Sequence, residues 1–326
     1  MSRPTLADLP PPPSYEEIIG KTPEELAALL EGDPRQAAQL LLAGARYGLV
    51  EAQTTYAQLL LDGRGVRRDP ASAFAWFKVA AGAGSADATN MLGRCHELGW
   101  GVPPDTTQAA RLYREAAERG LDWGQYNLAN LLARGDGLAL DREAALGWYV
   151  RAARQGHAKS MNLVGRFLEE GWGISADPMA AQDWYRRAAE GGDFRGQFNH
   201  ASVLVRRGEV GEAVLWYRQA VAGGTSGFLR SMAQNLIQQP QPELRVIAME
   251  ILVSCRESGE PADLFAYGRA LLPTDAAEAR RWLGRAAAMG HAEARTLLNG
   301  LGLAGRWAIW RAYADRFTSA IRPMRR

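Results

Sequence analysis

The chain has 326 residues, of which 47% are hydrophobic and 23% are charged, and its formal net charge is +2. This is the composition of an ordinary folded protein, and the near balance of charge argues against an extended nucleic-acid-binding surface. The two cysteines, Cys95 and Cys255, do not form the spacing pattern of a disulfide framework, so we expect both to be buried free thiols.

Residues 1–22 are predicted to form a proline-rich extended leader, in which Pro10 to Pro13 precede Ser14 and Tyr15. The segment has no apolar run typical of a signal peptide, and the chain has no stretch of 18 apolar residues. We therefore expect a cytoplasmic location. The PPSY stretch matches a polyproline ligand of WW domains, but a disordered leader or an extended arm packed on the first repeat is the favoured interpretation.

A repeated sequence pattern follows over residues 23–300. Glycine recurs at intervals of 36 residues and later at intervals of 32, 35 and 31. Alanine stands eleven residues before each of these glycines, which are Gly48, Gly84, Gly120, Gly156, Gly192, Gly224, Gly259 and Gly290. Since a fixed period of this length indicates stacked helical repeats, we predict about eight helix–turn–helix units. The pattern is most regular over 49–192 and degenerate over 225–259.

The second helix of each unit has clear start and stop signals. In six of the eight units an aspartate stands four residues before the alanine and is predicted to cap the helix, and a glycine at the other end suits a left-handed turn. Aromatic pairs such as Trp148-Tyr149 are predicted to pack between repeats. On this interpretation, Trp148→Ala is expected to cost about 3–5 kcal/mol. In the first helices, Gly93 and Gly165 indicate contacts too close for a methyl group.

A glycine loop joins the two helices in four units, as Gly63-Arg64-Gly65-Val66, Gly99-Trp100-Gly101-Val102, Gly135-Asp136-Gly137-Leu138 and Gly171-Trp172-Gly173-Ile174. Together with the Asp, Ala, Trp-Tyr and Ala-Ala-x-x-Gly positions, this pattern resembles the Sel1-like repeat, a branch of the tetratricopeptide-repeat superfamily. The resemblance covers most of the chain. It implies an all-α, right-handed α-solenoid of about eight stacked units and a non-enzymatic scaffold or adaptor. Such a scaffold would hold a protein or peptide on its concave face.

Sites of chemistry are not predicted. The four histidines show no metal-ligand spacing, and no nucleophile elbow, phosphate loop or dinucleotide fingerprint occurs. We therefore expect no catalytic, cofactor or metal site and no nucleic-acid partner. The near absence of lysine is typical of a GC-rich bacterial genome.

Two surfaces are candidates for partner binding. The first is the polar face of the first helices, where an ordinary solvated face is the alternative; its residues are Asn90, Arg94, Tyr126, Asn130, Asn162, Arg166, Phe198 and Ser202. The second consists of Trp100 and Trp172 in equivalent loops, where stacking on a neighbouring loop is the alternative.

The C-terminal segment, residues 301–326, is predicted to be a basic amphipathic helix. An end cap of the solenoid is one interpretation, because a repeat array needs a terminal element with one polar face. The other is contact with a membrane or partner, which would make the protein an envelope-associated assembly factor. Membrane contact is the less favoured of the two.

Overall fold

The computed structural model describes residues 31–301, and these residues form helices and turns with no strand among them. The predicted leader, residues 1–22, lies outside the described residues, as does all of the predicted C-terminal helix except residue 301. The chain divides into two compact units, one ending at Gly191 and the other beginning at Gly192. The all-α solenoid expected from the sequence is confirmed, since every helix of the N-terminal unit packs against the next one along the chain.

The N-terminal unit contains nine described helices of 13 residues each, and each helix packs against the next along the chain. They are α1 Pro34–Arg46, α2 Val50–Asp62, α3 Pro70–Gly82, α4 Ala86–Leu98, α5 Thr106–Glu118, α6 Asp122–Arg134, α7 Arg142–Arg154, α8 Ala158–Glu170 and α9 Pro178–Glu190. Repeat 1 consists of α2 and α3, repeat 2 of α4 and α5, repeat 3 of α6 and α7, and repeat 4 of α8 and α9. In every repeat the even-numbered helix is the first helix.

The predicted helix caps are present. The side chains of five aspartates accept backbone N–H groups in the first turn of α1, α3, α5, α7 and α9; these are Asp33, Asp69, Asp105, Asp141 and Asp177. The closing glycines have positive φ, from 82° to 96° among those of the four regular repeats and α1. Gly224 is an exception, because its φ is −75° and its backbone is extended. The unit that ends at Gly224 thus departs from the common turn, at the point where the repeat spacing shortens from 36 to 32 residues.

The second helices of repeats 1 to 4 each contribute alanines and one large aromatic residue to the core of the N-terminal unit, and the first helices contribute residues such as Leu128 and Leu131. The aromatic residue is fully buried at four equivalent positions, Phe77, Tyr113, Tyr149 and Tyr185. Trp148 is only half-buried, and the guanidinium carbon of Arg151 lies 4.3 Å from its ring centroid. Both residues of the pair therefore pack between repeats, as the sequence predicted, and Tyr149 is the one that is fully buried in the core.

Gly93 and Gly165 lie where the sequence predicted close packing. A Cβ atom built on Gly93 would lie 2.6 Å from Cε1 of Tyr113, and one on Gly165 would lie 2.7 Å from the ring of Tyr185. Each tyrosine ring thus packs directly against the glycine of the first helix of its own repeat. This contact fixes the first helix against the second.

The C-terminal unit contains the helices α10 Phe194–Arg206, α11 Val210–Gly223, α12 Ser226–Leu236, α13 Pro242–Cys255, α14 Pro261–Leu271 and α15 Ala276–Ala288, and a further helix begins at residue 292. Its core is formed by Tyr217, Met232, Leu244 and Ile247, with smaller residues around them. The buried carboxylate of Asp263 pairs with Arg230, which joins the start of α14 to α12.

Candidate functional site

The first helices of the N-terminal unit share one solvent-facing stripe, which we call the first-helix face. Its side chains follow the spacing i, i+4, i+7 and i+11, which places them on one side of an α-helix. They are exposed or half-buried: Asp87, Met91, Arg94 and Leu98 on α4; Trp123, Asn127, Asn130 and Arg134 on α6; Lys159, Leu163, Arg166 and Glu170 on α8.

One predicted row of binding residues lies one position away from this stripe. Asn90 and Asn162 are only 6% and 3% exposed, and Tyr126 is half-buried. The amide of Asn127 donates a hydrogen bond of 2.8 Å to the side-chain oxygen of Asn90. Asn90 therefore joins the first helices of repeats 2 and 3, α4 and α6. The next position along α4, Met91, belongs to the solvent-facing stripe instead.

The second predicted row does reach the first-helix face. Arg94, Asn130 and Arg166 occupy the same position on α4, α6 and α8. The hydroxyl of Tyr149 donates a 2.7 Å hydrogen bond to the side-chain oxygen of Asn130, so this amide is held in place by the core below it. The row thus presents a guanidinium, an amide and a second guanidinium on three successive first helices.

The last two members of these rows, Phe198 and Ser202, belong to the C-terminal unit. Phe198 is half-buried against the rings of Tyr217 and Phe228, at centroid distances of 5.6 and 5.8 Å. The hydroxyl of Ser202 lies 3.1 Å from that of Tyr217 and donates to the carbonyl of Phe198. Both side chains therefore take part in packing within α10 and against α11 and α12.

The two loop tryptophans lie beside the two arginines of the same repeats. The guanidinium carbon of Arg94 is 4.9 Å from the ring centroid of Trp100, and that of Arg166 is 5.0 Å from the ring centroid of Trp172. Both distances are typical of cation–π contacts. The two candidate surfaces predicted from the sequence, helix face and loop, therefore meet in one guanidinium–indole pair in each of repeats 2 and 4.

Repeats 2 and 4 share a larger set of residues that repeats 1 and 3 lack. Below each guanidinium–indole pair, a buried tyrosine donates a 2.6 Å hydrogen bond to a glutamate, from Tyr113 to Glu97 and from Tyr185 to Glu169. Repeat 3 has Asp136 in the loop position, where its carboxylate pairs with Arg134 at 2.7 Å. The pattern thus alternates along the N-terminal unit.

Comparison with known proteins identifies the family. The family model described as Sel1 repeat matches residues 50–85, 86–121, 124–157, 158–193 and 255–291, which together make up more than half of the chain. The chain belongs to the Sel1 repeat family. A search of the curated proteins found no match.

Solved structures of Sel1 repeat proteins have a similar fold. A Sel1 repeat protein from Oxalobacter formigenes is 24% identical, with a TM-score of 0.63, and the alignment covers 72% of this chain and 99% of that one. The Escherichia coli protein c5321, described as a protective antigen with an SLR fold, is 25% identical with a TM-score of 0.45; the alignment covers 86% of this chain and 71% of that one. The similarity to the Oxalobacter formigenes protein concerns the fold.

Trp123, the most exposed aromatic residue of the first-helix face, was not predicted from the sequence. Trp123 is 43% exposed, the ammonium nitrogen of Lys159 lies 4.8 Å from its ring centroid, and the ring of His157 packs edge-on against it at 4.6 Å. Burial lowers the pKa of His157, whose Nδ1 lies 2.8 Å from the hydroxyl of Ser160. The spacing i, i+4, i+7, i+11, extended back from Asn130, would have included Trp123.

Among residues 31–301, no group of three or more His, Cys, Asp or Glu side chains is placed to hold a metal ion. No described helix is long and apolar enough to cross a membrane. Both cysteines are free thiols, and burial raises the pKa of Cys95 to about 11, so this thiol stays protonated at neutral pH.

Proposed function

We propose that this Sel1 repeat protein is a non-catalytic scaffold that binds a protein or peptide across the first-helix face of its N-terminal unit. The supporting observation is the exposed aromatic and polar stripe on α4, α6 and α8, with Trp123 in the first turn of the middle helix, α6. Exposed tryptophan and arginine are enriched at the energetic centres of protein interfaces. Stacked repeats characteristically use such an extended face for binding.

The cytoplasmic location and the bacterial source remain predictions from the sequence. The C-terminal segment, residues 301–326, on which the alternative of a membrane- or envelope-associated assembly factor depends, lies outside the described residues apart from its first one.

Truncating Trp123 tests the proposed surface. We expect Trp123→Ala to weaken partner binding by about 2 kcal/mol or more, because tryptophan is among the residues that supply most of the binding energy of protein interfaces. The measurement is capture of partners from a lysate of the native host, followed by the affinity of the main captured protein for each variant. Circular dichroism should show unchanged helicity.

Met179→Ala is the matched control for this experiment. Met179 is a large apolar side chain on the second helix α9 and is 75% exposed, so its removal also takes apolar area from the surface. This variant should bind the captured protein as the wild type does. Equal binding by the wild type and Trp123→Ala would remove the first-helix face from consideration.

A further inference from the structure

We propose that the partner presents an extended acidic segment, whose carboxylates bind Arg94 and Arg166 while the backbone between them binds Asn130. This inference rests on the proposed function and specifies its ligand. It depends on one row of three side chains, at equivalent positions of α4, α6 and α8, which we call the donor row.

The two arginines of the donor row have no carboxylate partner within the described residues. Arg94 makes a 3.9 Å contact from its guanidinium to the sulfur of Met91, and Arg166 contacts only the ring of Trp172. Neighbouring Arg134, in contrast, pairs with both Glu97 and Asp136. The N–H groups of Arg94 and Arg166 are thus available to an acceptor from outside the chain.

The tryptophans hold both guanidinium groups in place. A guanidinium can stack on an aromatic face and still offer its N–H groups for bidentate bonding to a carboxylate. Since Trp100 and Trp172 restrict the two arginines before binding, less side-chain entropy is lost when a carboxylate binds. The same contact in two repeats, at 4.9 and 5.0 Å, gives two equivalent anchors.

Asn130 completes the donor row. Its side-chain oxygen already accepts the hydroxyl of Tyr149, so its NH₂ group is the part left to bind a ligand. An amide NH₂ group is a donor, and an arginine offers donors alone. The row therefore selects acceptors in the order carboxylate, carbonyl, carboxylate, which an extended acidic peptide supplies.

The distance between the anchors sets the spacing of the acidic residues. Helices α4 and α6 are joined by the Asn127–Asn90 hydrogen bond, and α6 and α8 by the contact of Lys159 with Trp123. Neighbouring packed helices lie about 8–10 Å apart, so α4 and α8 are separated by about 16–20 Å. An extended chain advances about 3.3 Å per residue, which predicts acidic residues about five or six positions apart.

The test uses a display library of random 12-residue peptides, selected for binding to the full chain. The affinities of enriched synthetic peptides are then measured by fluorescence anisotropy. We expect these peptides to carry two acidic residues five or six positions apart. Arg94→Gln and Arg166→Gln should each weaken binding about three- to fivefold, as for exposed ion pairs, and binding should weaken further at high salt.

The matched controls are Arg114→Gln and Arg151→Gln on the second helices α5 and α7. Arg151 also stacks on a tryptophan, so its replacement removes the same kind of contact from a second helix instead of a first helix. These variants should bind the peptides like the wild type. Replacing the two acidic peptide residues by Gln should abolish the difference between wild type and the donor-row variants.

Two results would overturn the inference, and they are distinguishable. Peptides that need Trp123 but bind Arg94→Gln and Arg166→Gln as tightly as the wild type would exclude the acidic ligand and leave the proposed function standing. If every enriched peptide binds Trp123→Ala, Arg94→Gln and Arg166→Gln as tightly as it binds the wild type, both proposals are contradicted.

Discussion

Replacing Gly101 by alanine is expected to destabilise the N-terminal unit by about 3 kcal/mol or more. Gly101 is the second glycine of the loop in repeat 2 and has φ of +71°, a conformation that costs an L-residue about 1–2 kcal/mol. A Cβ atom there would lie 2.2 Å from the carbonyl oxygen of Pro70 and 2.8 Å from Cα of Ala71. Because these are backbone atoms in the first turn of α3, relief requires moving one repeat away from the next.

Gly120→Ala separates the two causes of this effect. Gly120 also has positive φ, of +92°, but nothing lies within 4 Å of a Cβ atom built on it. Gly120→Ala should therefore lower the free energy of unfolding only by the cost of positive φ for an L-residue, about 1–2 kcal/mol. The measurement is denaturant unfolding of the variants, followed by circular dichroism. If both variants are destabilised equally, the loop does not pack against the preceding repeat as described.

Tyr149→Ala is expected to have the other large effect, about 3–5 kcal/mol of lost stability. The side chain is 2% exposed, packs against the ring of Phe167 at a centroid distance of 5.5 Å and bonds to Asn130. Its removal would leave a cavity between repeats 3 and 4. Tyr149→Phe keeps the ring and should cost only about 1 kcal/mol, the value of the hydrogen bond.

Trp148→Ala is the matched comparison for Tyr149→Ala, since the two residues are adjacent on α7. Trp148 is half-buried and has Arg151 against its ring, so we expect a smaller loss, about 1–2 kcal/mol. Denaturant unfolding curves of Trp148→Ala and Tyr149→Ala show which of the two variants loses more stability. A larger effect of Trp148→Ala would contradict the assignment of the core to the tyrosine.

The sequence predicted the local features of the repeats because single residues determine them. Asp105 caps α5 through its own side chain, and Gly120 is needed where φ is positive. The choice between Trp148 and Tyr149 depends instead on the angle at which α7 meets α8. Both are large aromatic residues at neighbouring helical positions, and no local rule decides which of them points into the core.

The register of the candidate site was equally hard to predict. Asn90 and Met91 are adjacent, and one helical step of 100° separates a position facing the next repeat from one facing solvent. The pairing of Asn90 with Asn127 depends on how consecutive first helices approach one another. Likewise, Arg94 and Trp100 are six residues apart, and only the course of the glycine loop brings the indole back over the helix.

Site-specific photo-crosslinking tests the central claim, that the first-helix face binds the partner, most directly. A photoreactive phenylalanine analogue would replace Leu163 on α8 in one variant and Val79 on α3 in the other. Leu163 lies on the first-helix face, whereas Val79 is an exposed apolar residue on a second helix. We predict that the partner crosslinks to position 163 and not to position 79. Crosslinking at position 79 alone would place the partner on the second helices and contradict the account.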